Sequence, residues 1–177
     1  KLDPLYRRPD APLRGTVLHA VLEDFIKDLD VQQGLEVARE NLLGTTDKVL
    51  LDHAPWPAAR ALWRAKIERV TDKFLKDEFK RQTIAQPLVL EIWGEMNFAD
   101  LNFTLNGKAD RIDRTDLGRL IIYDYKTGSP PSKNQLKYFD KQLLLEAMMA
   151  EAGSFDSVPR AIVSEVAHIS LGSTPKY

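Results

Sequence analysis

The sequence predicts an α/β fold in which a helical N-terminal part precedes a central mixed β-sheet flanked by helices. Three observations predict it. Apolar residues recur at helical spacing from Leu18 to Phe74, they switch to every second residue between Leu88 and the "IIYDYK" stretch, and a second helical stretch then separates those strands from a last one. The expected order is helices, a three-strand meander, a helix and a strand.

Leu18, Leu22, Phe25 and Leu29 in "LRGTVLHAVLEDFIKDL" mark a helix from Leu13 to Leu29 that buries one side, with His19 at the flank of the stripe. Val31, Leu35, Ala38 and Leu42 carry the helical period to Gly44, read as a left-handed stop, with a loop around "TTDKVLLDHAPWP". Pro57 suits the first turn of a long helix carrying Trp63, Ile67, Val70 and Phe74. The basic residues from Arg60 through Arg81 are interleaved with acids and read as its solvated face.

"LVLEIWGEMNF" then alternates, with Leu88, Leu90 and Ile92 on one side and Val89, Glu91, Trp93 and Glu95 on the other. Trp63 and Trp93 are assigned to the core by their spacing. Leu101, Phe103 and Leu105 repeat every second residue, and Asn106 with Gly107 reads as a tight turn into "KADRIDR". Asp116 to Gly118, "DLG", turns the chain into "RLIIYDYK". After "TGSPPSK" a helix through Leu136, Phe139, Leu143 and Ala147 ends at Gly153, and "RAIVSEVAHISL" supplies the last strand.

A chain of 177 residues is enough for one domain with a real core, and 44% apolar with 29% charged residues is the balance of a soluble globular protein. No apolar run is long enough to span a bilayer. The opening "KLDPLYRRPDAPLRG" has neither an initiator methionine nor an apolar signal core, so residues 1–177 are expected to be a single domain cut from a larger polypeptide. The absence of cysteine excludes disulfides, thiolate metal sites and cysteine nucleophiles, and makes the cytoplasm the default compartment. A net charge of -1 excludes bulk attraction to nucleic acid, so contact with phosphates requires a local patch or a metal. Glycine-rich phosphate loops and HExxH zinc spacing are absent from the sequence, and His53 and His168, isolated in it, are assigned nothing. The "KTG" at Lys126 to Gly128 lacks the upstream serine nucleophile that accompanies it in penicillin-binding proteins, because the first serine is Ser129.

The chemistry concentrates in "IIYDYKTG". Asp124 and Lys126 project from the same side of a strand, about 6 to 7 Å apart. If the "DLG" turn pairs the strands, Asp110 comes alongside Asp124. Like charges about 4 Å apart cost on the order of 4 kcal/mol at an effective dielectric of about 20, and a bound cation reverses that repulsion. Few, hard oxygen ligands suit Mg²⁺ or Mn²⁺, which activate water for phosphodiester hydrolysis, with the lysine steadying the water or the developing charge. Arg111 and Asp113 alternate with Asp110 and point to the other face, as a structural salt bridge.

"GKADRID" followed by "IIYDYKTG", with "RGTVLH" upstream and "QLLLE" downstream, resembles the RecB-like branch of the PD-(D/E)XK nucleases, most closely the AddB-type nuclease domains of bacterial AddAB helicase-nucleases. The resemblance runs from Arg14 to about Gly153. It implies a restriction-endonuclease-like core and a Mg²⁺-dependent deoxyribonuclease of exonuclease type, for which Mn²⁺ can substitute. By the same resemblance the enzyme is bacterial and cytoplasmic, and acts on single-stranded DNA delivered by an AddA-like helicase subunit in double-strand break repair and recombination. His19, Asp110 and Asp124 become metal ligands together with the backbone carbonyl of Tyr125. Lys126 becomes the catalytic lysine, and Gln142 and Glu95 lie toward substrate. Two departures stand out: many relatives carry a tyrosine where this chain has Glu146, and the four-cysteine iron-sulfur cluster of many AddB-type domains cannot form without cysteine. The rival reading from another class is a catalytically silent nuclease fold that serves as a DNA-binding or scaffold module.

Overall fold

A computed structural model describes residues 9–128, 134 and 141–171. The chain divides into two compact units, Lys1–Leu75 and Lys76–Tyr177. The first is helical and the second carries a four-stranded sheet.

In the first unit, α1 (Ala11–Asp28) starts where the Asp10 side chain accepts the N–H of Leu13 at 2.9 Å, and it buries Val17, Leu18, Val21, Leu22, Phe25 and Ile26. A single 3₁₀ turn leads into α2 (Leu35–His53), which runs straight through Gly44. The expected stop and the loop after it are therefore corrected: Ala38, Leu42, Thr46, Val49 and Leu50 form one continuous buried stripe, and its burial outweighs the cost of about 1 kcal/mol for a mid-helix glycine. Pro57 opens α3 (Pro57–Gln82), as its fixed φ suits the first turn. Trp63, Phe74 and Leu75 are buried, with the Phe25 and Phe74 rings 6.4 Å apart. The charged face of α3 carries solvent-exposed pairs such as Arg64 with Asp47 and Glu68, each worth at most about 1 kcal/mol.

The second unit takes up the end of α3 and the sheet, in the order β1-β2-β3-β4. β1 (Ala85–Phe98), β2 (Phe103–Thr115) and β3 (Leu120–Lys126) form the antiparallel meander, and β4 (Val163–Ser170) lies parallel to β3. The mixed sheet and its order agree with the expected fold class. The "DLG" turn forms as expected, with Gly118 at φ 74°. The turn expected at Asn106 and Gly107 does not: β2 passes through both, paired with Glu95 and Gly94, and the chain reverses instead at Ala99–Leu101 and left-handed Asn102. Gly107 serves close approach, since a methyl group there would lie 3.2 Å from the Met149 sulfur.

α4 (Gln142–Ala152) ends at Gly153 and lays Leu143, Met149 and Ala150 against Ile112, Leu120 and Ile122 of the sheet, closed by Phe155 and Val158. Burying each of the larger of these side chains is worth about 1.5–3 kcal/mol. Leu136 and Phe139 lie outside the described residues. The opposite face of the sheet is held by charge. Arg111, fully buried, reaches Asp113 at 2.6 and 2.7 Å, Glu78 of α3 at 2.9 Å and the Tyr125 hydroxyl at 3.2 Å. The structural pairing expected for Arg111 and Asp113 is present, but the end of α3 is not the solvated face that the sequence suggests: Glu78 is fully buried and Arg81 is half-buried against it. Trp93, expected in the core, is 65% exposed.

Candidate active site

The β2 and β3 ladder runs from Arg114 opposite Leu120 to Arg111 opposite Tyr123. One step further, the same register sets Asp110 against Asp124. There the Asp110 carboxylate accepts the backbone N–H of Tyr125 at 2.8 Å, a side-chain bond in place of a further ladder bond. The alternation that puts Arg111, Tyr123 and Tyr125 on the charged face puts Asp110 and Asp124 on the α4 face. Both are buried, at 7% and 3% exposure.

Lys126, two residues beyond Asp124 on the same side, brings its ammonium group within 3.0 and 2.9 Å of the two Asp124 oxygens. From the parallel neighbour β4, His168 stands opposite Asp124 with Nδ1 3.0 Å from Oδ2. The ring Nδ1 faces the Asp124 carboxylate, while Nε2 is buried and has no hydrogen-bond partner among the described residues. β1 contributes Glu91, whose carboxylate lies within 4.8 Å of that of Asp110 and 2.5 Å from the Lys108 ammonium. Glu91 has φ 51°, a conformation costing a non-glycine residue on the order of 1–3 kcal/mol, and such strain gathers at functional sites.

α4 adds the last members. Gln142, exposed at its start, donates from Nε2 to Glu146 Oε1 at 3.0 Å. Glu146 is 3% exposed, and its Oε2 has no hydrogen-bond partner among the described residues. Burial pushes its carboxyl up to about 7 against the Gln142 hydrogen bond, with the charges of Asp110 and Asp124 adding to the rise.

Of the residues singled out in the sequence, Asp110, Asp124, Tyr125 and Lys126 come together at this end of the sheet. The Tyr125 side chain turns to the opposite face, where burial lifts its hydroxyl to about 12, and only its backbone borders the carboxylates. Glu95 is exposed, opposite Asn106, and the β1 acid beside Asp110 is Glu91, four positions earlier. His19 stands on α1 in the first unit, half-buried at the edge of the Leu18 and Leu22 stripe. Glu91 and His168 carry no sequence signal beyond a charge and a ring inside otherwise apolar strands. Their positions follow from the antiparallel register of β1 on β2 and from the parallel pairing of β4 with β3.

The donor set fits a hard divalent cation. Asp110 and Glu91 offer carboxylate oxygens within 4.8 Å of one another, Asp124 offers its own from the neighbouring strand β3, and two buried polar atoms, His168 Nε2 and Glu146 Oε2, lack partners among the described residues. The family model described as the PD-(D/E)XK nuclease superfamily matches residues 2–174. The chain is 28% identical over 157 residues to an uncharacterized protein of Rickettsia bellii (strain RML369-C), covering 87% of this chain and 19% of that protein. An uncharacterized protein of Rickettsia typhi is 26% identical over 180 residues, covering 97% of this chain and 21% of the relative. The chain thus spans about a fifth of the length of these curated relatives.

Proposed function

Because the chain belongs to the PD-(D/E)XK nuclease superfamily, we propose that it is a metal-dependent deoxyribonuclease domain of a larger protein, hydrolysing phosphodiester bonds at the Asp110, Asp124 and Lys126 cluster. The observation that carries this reading is the placement of two buried carboxylates at facing positions with a lysine fixed to one of them. A family match crossing both units supports treating them as one nuclease domain. Asp110 and Asp124 would hold Mg²⁺ or Mn²⁺, with His19 and the Tyr125 carbonyl completing the protein ligands. A divalent cation supplies Lewis-acid polarisation of the phosphate and a bound water of lowered pKa.

The chain's own groups do the rest. Asp110 holds the Tyr125 backbone, and with it the carbonyl, in place. Lys126 moves from Asp124 toward the scissile phosphate and neutralises the charge that develops there. Gln142, at the exposed start of α4, contacts the substrate, and Glu95, out along β1, does so further from the metal. The resemblance of the four sequence motifs to AddB-type nuclease domains supports the finer reading: exonucleolytic cutting of single-stranded DNA, fed by an AddA-like helicase subunit during double-strand break repair and recombination in a bacterial cytoplasm. No helix among the described residues is long and apolar enough to cross a membrane.

The test measures cleavage of single-stranded DNA and the shift in melting temperature on adding Mg²⁺ or Mn²⁺. Asp110→Ala is expected to abolish both. Wild-type protein that binds DNA but neither takes up the metal nor cuts would refute the enzyme reading and leave the scaffold reading in its place.

A further inference from the structure

Glu146 is an acid in a place that disfavours one. It lies on the buried side of α4, one oxygen held by Gln142 and the other, Oε2, facing no donor among the described residues. The charges acting on it are those of Asp110 and Asp124, which repel it, and of Lys126, which attracts it but is already bound to Asp124. A role in packing alone is met by a leucine, without an orphaned oxygen. A cation, or a water bound to one, satisfies the oxygen and relieves the repulsion from both aspartates at once.

We propose that Glu146 is a further acidic residue of the cation site, its Oε2 taking the divalent ion or one of the ion's waters while Gln142 fixes the carboxylate plane. The inference rests on the metal reading above and extends it to α4. The Gln142 and Glu146 pair then does more than border the substrate: it ties the position of α4 to occupancy of the site.

Calorimetric titration with Mn²⁺, with no DNA present, tests it. Glu146→Gln keeps the shape and a partner for Gln142 but removes the charge, and it is expected to weaken Mn²⁺ binding about 10- to 100-fold, the usual loss for a group supporting a metal ligand set. Its melting temperature without metal is expected to equal or exceed that of the wild type, so that weakened binding is not misfolding. Glu146→Leu, which fills the space with no oxygen, gives the same loss. Wild-type Mn²⁺ affinity in Glu146→Gln overturns the inference and leaves the nuclease reading standing. A wild-type protein that binds no Mn²⁺ overturns both.

Discussion

Replacing Arg111 by methionine removes the guanidinium at the centre of the charged face while keeping much of its volume. Arg111 is fully buried, as are Glu78 and Asp113, and it accounts for both bonds to Asp113 and one of the two arginine contacts to Glu78. Burial opposes the charge on Glu78, yet Arg111 and then Arg81 hold its carboxyl below the usual range, whereas Asp113 sits above it because burial wins. Without Arg111, Glu78 keeps Arg81 and the Gln82 amide, while Asp113 loses both of its bonds to the guanidinium. Breaking a buried pair on one side costs about 3–5 kcal/mol, and that loss is expected here at neutral pH in urea denaturation. The deficit is expected to shrink as pH falls, because both orphaned carboxyls then take up protons at elevated pKa. A companion with Glu78→Gln and Asp113→Asn added is expected to recover much of the loss, since no uncompensated charge remains. A loss under about 1 kcal/mol, or no recovery in the companion, would show that the network is not the electrostatic unit inferred from its geometry.

Three further outcomes are expected. In the metal-free protein the Glu146 carboxyl rises from 4.5 to about 7 through burial first, so between those values the folded state keeps a proton that the unfolded chain has released. Stability is therefore expected to fall across that window as pH rises, by at most about 3 kcal/mol at about 1.4 kcal/mol per pH step, and thermal melts in EDTA should show a flatter profile for Glu146→Gln. Gly94→Ala puts a methyl group 2.5 Å from the Phe155 ring and 2.8 Å from the Ser154 carbonyl, and a destabilisation of about 1–3 kcal/mol is expected in chemical denaturation. His168→Ala frees Asp124 from the contact that orients it, and Mn²⁺ affinity by calorimetry should drop about tenfold or more while the fold persists.

Periodicity was enough to read the class and order of the elements in the sequence, because burial of one face leaves a repeat of 3.6 or 2 that needs no knowledge of the partner. The same logic identified Asp124 with Lys126 and, through the "DLG" turn, Asp110: all three depend on alternation and one short turn. Local signals failed where tertiary contact outweighed them. Gly44 and the Asn106 and Gly107 pair look like punctuation, but a buried stripe carries α2 through the first and the approach of Met149 accounts for the glycine of the second.

The remaining members of the site were beyond any local rule. His168 meets Asp124 only because β4 pairs parallel to β3 across a connection of more than thirty residues, a pairing that no local pattern announces. Glu91 is the β1 acid beside Asp110 because the antiparallel register sets it between the Leu90–Arg111 and Ile92–Ala109 pairs, and Glu146 becomes an orphaned buried acid only once α4 is laid on the sheet. Short-range alternation thus determined the pairing of Asp124 with Lys126, while long-range pairing and burial, which have no period along the chain, decided what surrounds it.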